Sequence, residues 1–531
     1  MEPENVFVRP NLVVEPLFNR WYAWPYLISP VSSALYVANH HLKIMQSFTS
    51  APQVHVKALQ DRKLIGGPFI DYPASRAKEV RALMDETVKD NAQALAFAKA
   101  VRAYHDLLMQ KADGHSLEPL YSEAPDPLRG YVELVYDMNH APSIRFIEGL
   151  LYQSPLFDED RQSVSMFLTE SDGRPFAFST PRLASDAAVD LPIRFNDPAL
   201  DDLFRMKYEP GNYERIKELL KIDAAQEALF STFFTAEPTR AGGYDGDGVR
   251  IRYFGHACLL IETRDVSVLC DPVISYAYDD GPPRFTYEDL PEKLDYVLIT
   301  HNHQDHCVFE TLLQLRHRIG TILTPKSNPG ALADPSLKMA LKKIGFTRVE
   351  EIDEMEAVEV QGGSILGVPF LGEHGDLNIQ SKIAFVVTLK GRTVVMAADS
   401  NNIESRIYEN IACAIPPADV LFIGLECEGA PLSWIYGPML MRSLPRSMDQ
   451  SRRFDGSDCD KAMEIVSILN PDQVYVYAMG MEPWLSFMIA VDASEDSRPV
   501  RESKKFVDLC RERGIESERL FCKKEIVLPA R

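Results

Sequence analysis

The chain is 531 residues long, enough for about three ordinary domains or two large ones. Its composition, 46% hydrophobic, 25% charged and 10% aromatic, supplies ample material for cores and excludes disorder on the scale of the whole chain. With 56 basic against 77 acidic residues the formal net charge is -21, which sets the chain against nucleic-acid and anionic-membrane partners.

The first residues, MEPENVFVRP, carry acids at positions 2 and 4 and lack the apolar run of a signal peptide. No stretch of about 18 apolar residues follows anywhere, so no transmembrane helix is predicted. The cysteines begin only at Cys258, and none is spaced C-x-x-C, which argues against a disulfide framework, a zinc ribbon or an iron–sulfur cluster. The expectation is a reduced, cytoplasmic protein. WYAWPY, 21–26, is predicted to pack at a domain or dimer contact. His40, His41, His55, His105, His115 and His140 are scattered and read as structural or surface residues. Across 75–112, Val80, Leu83, Met84, Val88, Ala92, Leu95, Ala98 and Val101 recur at steps of three and four, the pattern of one or two amphipathic helices. VSMFLTE, SDGR and PFAFST read as a hairpin with an Asp-Gly turn, and 212–234 as a further helix. Residues 1–236 are therefore predicted to form an α+β domain, and the Gly- and Asp-rich segment 237–248 a linker.

From 249 to 531 the texture changes. Short apolar strands such as VRIRYFG, CLLIET, VSVLCD and YVLIT give way to TILTP, ILGVPF, KIAFVVTL, RTVVMAAD, VLFIGL and QVYVYAM. Helical stretches such as FETLLQLRHR and CDKAMEIVSILN fall between them. Hairpins followed by alternating strands and helices predict two sheets packed face to face with helices outside.

The chemistry sits in LDYVLITHNHQDHCVF. A strand ends at Thr300, and His301, His303, Asp305 and His306 follow within six residues. His301 and His303 are two apart, so in an extended segment they point to the same side and can grip one metal. Asp305 and His306 come after the chain turns and can face a second. Three imidazoles and a carboxylate held this closely are costly unless metal ions organise them.

The motif H-x-H-x-D-H after a buried strand resembles the signature of the metallo-β-lactamase superfamily. FGHACLLIE (254–262, with His256), LCDP (with Asp271) and MAADS (with Asp399) resemble its other motifs in the same order. The fold so implied is an αββα metallo-β-lactamase-like sandwich following the α+β N-terminal domain. Two departures stand out. None of the twelve histidines follows His374, so the last histidine usual in hydrolytic members is missing, with YAMGMEP and Glu482 in its stretch. At the third motif the sequence reads PFLGEHGDL, offering Glu373 beside His374. With Glu373 the set is three imidazoles and three carboxylates, a mixed donor set that suits iron as well as zinc; His374 is the alternative ligand.

Across nearly the whole chain the sequence is similar to the di-iron β-hydroxylases of nonribosomal peptide pathways. The segments that carry this likeness are EPLFNRWYAWPYLISP, GGPFID, THNHQDH, FLGEHGDLNIQSK and PLSWIYGPM. The resemblance implies one iron on His301, His303 and Glu373, the other on Asp305 and His306, and Asp399 between them, with Glu373 and Asp399 also taking catalytic roles. It implies an O2-dependent monooxygenase that hydroxylates the β-carbon of an aminoacyl thioester on a carrier-domain phosphopantetheine. Electrons would come from an external reductase, and the protein would be a homodimer. A dizinc hydrolase (lactonase, phosphodiesterase or thioesterase) is the competing enzyme class, and a metal-binding module without activity a third reading.

Five further candidates flank the site: His374 behind a ligand, Glu426 and Glu428 on the loop after VLFIGL as proton-handling groups, and Trp434 and Tyr436 in the substrate channel. Arg442, Arg446, Arg452 and Arg453, opposed only by Asp449, are candidate contacts for the phosphopantetheine phosphate or an acidic carrier face.

Overall fold

Strands after residue 248 do not alternate apolar with polar, because both their faces are covered. Cys258–Glu262 and Val420–Gly424 are buried at every position, as central strands of a layered fold must be. The computed structural model describes residues 5–61, 64–238, 242–491 and 494–531. It arranges these strands in two seven-stranded sheets. One runs Val349–Ile352, Ile319–Pro325, Leu294–Leu298, Ser267–Cys270, Cys258–Glu262, Val249–Gly255 and Lys524–Leu528. The other runs Ala357–Val360, Gly363–Val368, Ala384–Leu389, Arg392–Met396, Val420–Gly424, Gln473–Tyr477 and Glu516–Arg519. Each begins with antiparallel strands and continues in parallel.

The sheets meet through one apolar layer in which Tyr253, Leu259 and Val268 pack with Phe385, Val387, Phe422 and Tyr475. Helices Arg406–Ala414, Cys459–Leu469 and Arg498–Glu512 cover the outer face of the second sheet. This is the αββα sandwich expected from the sequence, with one addition. The outer layer of the first sheet is shared with the N-terminal region, so helix Phe309–Leu315 is buried along its whole length.

The N-terminal region is α+β. Its sheet orders Trp21–Tyr22, Leu12–Phe18, Gln162–Leu168 and Val189–Leu191. The amphipathic stretch forms two helices, Ala77–Asp90 and Ala92–Lys111, parted at Asn91. The expected hairpin at 164–180 does not form. Gln162–Leu168 pairs instead with Leu12–Phe18 and Val189–Leu191. The SDGR turn is drawn away because Arg174 reaches Glu310 of the sandwich at 2.7 Å. The segment after it is also claimed there, since Ala177 donates its N–H to Phe487. The single helix expected at 212–234 is two, Tyr213–Leu219 and Glu227–Ser231, broken where Lys221 turns to a φ of 53°. Helices between Pro25 and Ala58, including a π-helical turn at Val37–His41, were not signalled by periodicity.

Within the expected 237–248 linker, residues 239–241 lie outside the described residues, and Gly242 donates its N–H to the carbonyls of Glu288 and Leu290. No helix among the described residues is long and apolar enough to cross a membrane.

Candidate metal centre

Four of the functional side chains stand just beyond the C-terminal ends of strands, where open α/β sheets leave a crevice for ligands. Asp271 follows Ser267–Cys270, and His301 lies three residues beyond Leu294–Leu298. Asp399 follows Arg392–Met396, and Glu426 follows Val420–Gly424. The backbone there is bent sharply. His256, Asp271, Glu373, Ala398 and Ala478 all take positive φ, at 51°, 40°, 68°, 50° and 54°. Non-glycine residues adopt that region at a cost of about 1–3 kcal/mol, which the surrounding sheets must supply. Glu373 is flanked by Gly372 and Gly375, also at positive φ, so the FLGEHGD loop coils tightly enough to bring its acid inward.

The side chains converge. Glu373 Oε1 lies 2.9 Å from His303 Nδ1. Asp399 Oδ2 lies 3.0 Å from His306 Nε2 and 4.0 Å from His301 Nε2. Asp305 Oδ2 lies 3.3 Å from His256 Nε2. Three groups of donors each gather within 4.8 Å: His301, His303 and Glu373; His301, His306 and Asp399; His256, Asp305 and His306. That is a span one metal ion bridges with bonds of about 2.0–2.2 Å to nitrogen and oxygen. His301 Nε2, His306 Nε2 and Asp399 Oδ1 are buried without a hydrogen-bond partner, a cost that a metal removes.

Behind the donors, Asp271 fixes the geometry. Its Oδ2 lies 2.8 Å from His306 Nδ1 and accepts from Thr300 Oγ1 at 2.6 Å, while its Oδ1 accepts from the Thr300 N–H. This leaves the Nε2 lone pair of His306 facing the centre.

The electrostatics also call for cations. Burial, with the charges of Asp399 and Asp305, pushes the Glu373 carboxyl well above the usual carboxylate range. Burial and the neighbouring rings hold His301 well below the ordinary imidazole value, and burial takes His303 down to about 4, so both rings are held neutral. Against burial, the carboxylates of Asp399, Asp271 and Asp305 raise His306.

A cavity of about 680 Å³ opens from this centre. His256, His303, Asp305, Glu373, Asp399 and Glu426 line it on the metal side. Trp21, Trp24, Tyr36, Phe178 and Trp434 give it an aromatic wall. The wall joins chain segments 368 and 399 residues apart: Trp434 Nε1 donates to Gly66 O at 2.9 Å, and Asn39 Nδ2 donates to Pro438 O at 2.8 Å.

The sequence candidates sort as follows. His301, His303, Asp305, His306, Glu373 and Asp399 all fall in the three donor groups. His374 is in none of the donor groups: its Nδ1 shares a hydrogen bond of 2.8 Å with Tyr436, its Nε2 is buried without a partner, and its ring centroid lies 4.6 Å from that of His303. Tyr436 is buried behind the cavity, whereas Trp434 lines it and Glu428 stands exposed at its rim. The four arginines do not share one face. Arg442 and Arg446 are exposed, Arg452 Nε donates to Gly375 O at 2.7 Å to hold the FLGEHGD loop, and Arg453 lines the cavity. Glu482 is held by Tyr253 and is in none of the donor groups.

Two segments of the N-terminal region join the site. His40 and His41, expected as structural or surface residues, line the cavity, and His41 stacks on Trp21 with centroids 4.0 Å apart and planes 6° apart. WYAWPY lies where the N-terminal region meets the sandwich: the Tyr26 hydroxyl donates to Ala333 O at 2.7 Å, and Trp21, Tyr22 and Trp24 line the cavity. His256, placed by sequence only in a turn, comes within reach of Asp305. Its motif position was the available signal.

A family model described as the di-iron non-haem β-hydroxylase N-terminal domain matches residues 7–238, and a β-lactamase superfamily domain matches 250–432. The 4-amino-L-phenylalanyl-[CmlP-peptidyl-carrier-protein] 3-hydroxylase of Streptomyces venezuelae is 39% identical, over 98% of this chain and 99% of its own. The crystal structure of CmlA, a di-iron β-hydroxylase from Streptomyces venezuelae, superposes with a TM-score of 0.93 at 38% identity, covering 99% of this chain and 100% of that one. A mutant of CmlA superposes with a TM-score of 0.91 at 37% identity, covering 98% and 100%.

Proposed function

The chain belongs to the family of di-iron non-haem β-hydroxylases with a metallo-β-lactamase fold, and from that premise we propose that it hydroxylates the β-carbon of an aminoacyl thioester carried by a nonribosomal peptide synthetase carrier domain. O2 is the co-substrate and an external reductase supplies the electrons. The observation that carries this reading is the donor set, three imidazoles and three carboxylates converging at the head of a cavity large enough for an aminoacyl group. Mixed nitrogen and oxygen ligation of this kind suits iron.

In this reading His301, His303 and Glu373 would hold one iron and Asp305 and His306 the other, with Asp399 within reach of both. His256 steadies Asp305 from behind. A bound iron pair supplies the redox chemistry with dioxygen that places an oxygen atom on carbon. The protein's own groups do the rest. Asp271 and Thr300 lock His306 in the tautomer that presents Nε2. Tyr436 holds His374 beside the Glu373 turn. Phe454, packed 5.4 Å from the His303 ring, and Met479 cover the metal side of the cavity and keep bulk water from it. Tethering fixes which carbon reaches the metals and supplies effective concentration. The protein works as a homodimer in the cytoplasm.

The test is intact-mass analysis of candidate aminoacyl carrier domains after incubation with the iron-loaded protein, O2 and a reductant. A gain of one oxygen atom is expected on one of them, with two irons per chain. Protein that folds with zinc alone and cleaves esters without consuming O2 would end the reading.

A further inference from the structure

Two acids that line the cavity, Glu426 and Glu428, belong to none of the donor groups, and Glu428 is exposed at the rim. Glu426 lies two residues beyond strand Val420–Gly424, on a loop fixed by the Gly456 N–H donating to its carbonyl at 2.8 Å. It lines the main cavity beside Asp305, Glu373 and Asp399, and also a side pocket of about 320 Å³ with Glu428 and Arg498. It belongs to none of the donor groups. Among the described residues its carboxylate makes no hydrogen bond or ion pair. Arg453, which also lines the cavity, is hydrogen-bonded at 2.7 Å to Gln450 instead. Burial and the charges of Asp399, Asp455 and Asp305 push its carboxyl up to about 8. An acid kept unpaired in such a place is costly unless a cationic donor comes to it.

The rest of the cavity has the opposite character. Trp21, Trp24, Tyr36, Phe178 and Trp434 present rings, and Glu428, the one other carboxylate among the described lining residues, stands exposed at the rim. An aminoacyl thioester offers one group for each surface: an α-ammonium and a side chain, with the β-carbon as the first atom of that side chain. Resting on the functional reading above, we propose that Glu426 binds the free α-ammonium of the substrate while the aromatic wall takes a neutral, apolar or aromatic side chain. The two anchors hold the β-carbon at the metals. The substrate is then an aminoacyl group with an unblocked amine, and N-acylated or peptidyl thioesters are excluded.

The probes are stable amide analogues of L-phenylalanyl-pantetheine, with a free and with an acetylated amine, titrated calorimetrically into the metal-loaded protein. The wild type is expected to prefer the free amine by about tenfold or more, the scale of a hydrogen bond to a charged group. Glu426→Gln should keep two metals per chain and narrow that preference to about twofold, with Glu426→Asp restoring part of it. The arginyl analogue should bind at least about tenfold more weakly than the phenylalanyl one, lacking a counter-charge on the wall. An undiminished amine preference in Glu426→Gln, or loss of metal from it, would overturn the assignment, and an arginyl analogue that binds better would overturn the side-chain half. The functional reading fails separately: amine preference with no oxygen gained by any aminoacyl carrier would sink the reaction and leave the anchor standing.

Discussion

Two buried clusters of acids lie in this molecule, and they are neutralised differently. Glu15 and Glu310, at the seam between the N-terminal region and the sandwich, are met by two guanidinium groups: Arg182 Nε is 2.6 Å from Glu15, and Arg174 Nη2 is 2.7 Å from Glu310. Asp305, Glu373 and Asp399 have only histidines in ion-pair reach among the described residues. The first cluster is complete as protein. The second is short of positive charge, and every anomaly around it (the raised Glu373, the raised His306, the unpartnered ring nitrogens) follows from that shortage. Buried charge that the fold balances for itself is architecture, and buried charge that it leaves unbalanced is a binding site.

Substitutions should separate the two. The largest expected effect is at the unbalanced cluster. Glu373→Ala removes a donor from the His301–His303 group and should abolish oxygenation and cost bound metal, whereas His374→Ala, which loses only a hydrogen bond to Tyr436, should retain part of both. Metal analysis and product mass on the two variants check this, and the reverse order would exchange the roles of the neighbours.

At the balanced cluster the damage should fall on stability and not on metal. Arg174→Ala leaves Glu15 and Glu310 short of a partner and should cost about 3–5 kcal/mol in denaturant unfolding, with two metals still bound by the folded fraction. The same cluster gives an acid limb. Against burial, Arg182 and Arg174 hold Glu15 down to about 2, below its ordinary 4.5. Its stabilising contribution is therefore present above about pH 4.5 and is lost as pH falls toward 2. Arg174→Ala should shrink that limb, and an unchanged acid midpoint would show that the network is not what fails.

The smallest effect sharpens the border between the clusters. Asp271 is as buried as Glu15 but serves the metal centre through the His306 tautomer. Asp271→Asn should weaken metal affinity by about 10–100-fold, measured by chelator competition, with a stability loss smaller than that of Arg174→Ala.

How much of this could be read beforehand depends on where in the chain the partners lie. His301, His303, Asp305 and His306 fall within one turn after one strand, so their chemistry was visible as a short motif. Glu373 and Asp399 entered through motif order. The strands from Val249 to Gln473–Tyr477 were legible because runs of apolar residues between turns mark covered sheets. The failures were at sites where a distant residue claims a local segment. The SDGR turn looked like a hairpin, yet Arg174 spends its charge on Glu310 and on Glu15. That His40 and His41, read as structural or surface residues, line the cavity was not legible, because Trp21, Phe178 and Trp434, which line it with them, are remote or uninformative in sequence.

The sequence by itself determined the class of chemistry, since a metal-binding cluster, an apolar strand pattern and an acidic composition are local or additive properties. Only the tertiary structure decided which of two adjacent residues, Glu373 and not His374, joins a group of clustered donors, and what the cavity wall is made of. Those depend on side chains brought together from both halves of the chain, and close packing of two sheets against an N-terminal layer, which no local pattern records, fixes their positions.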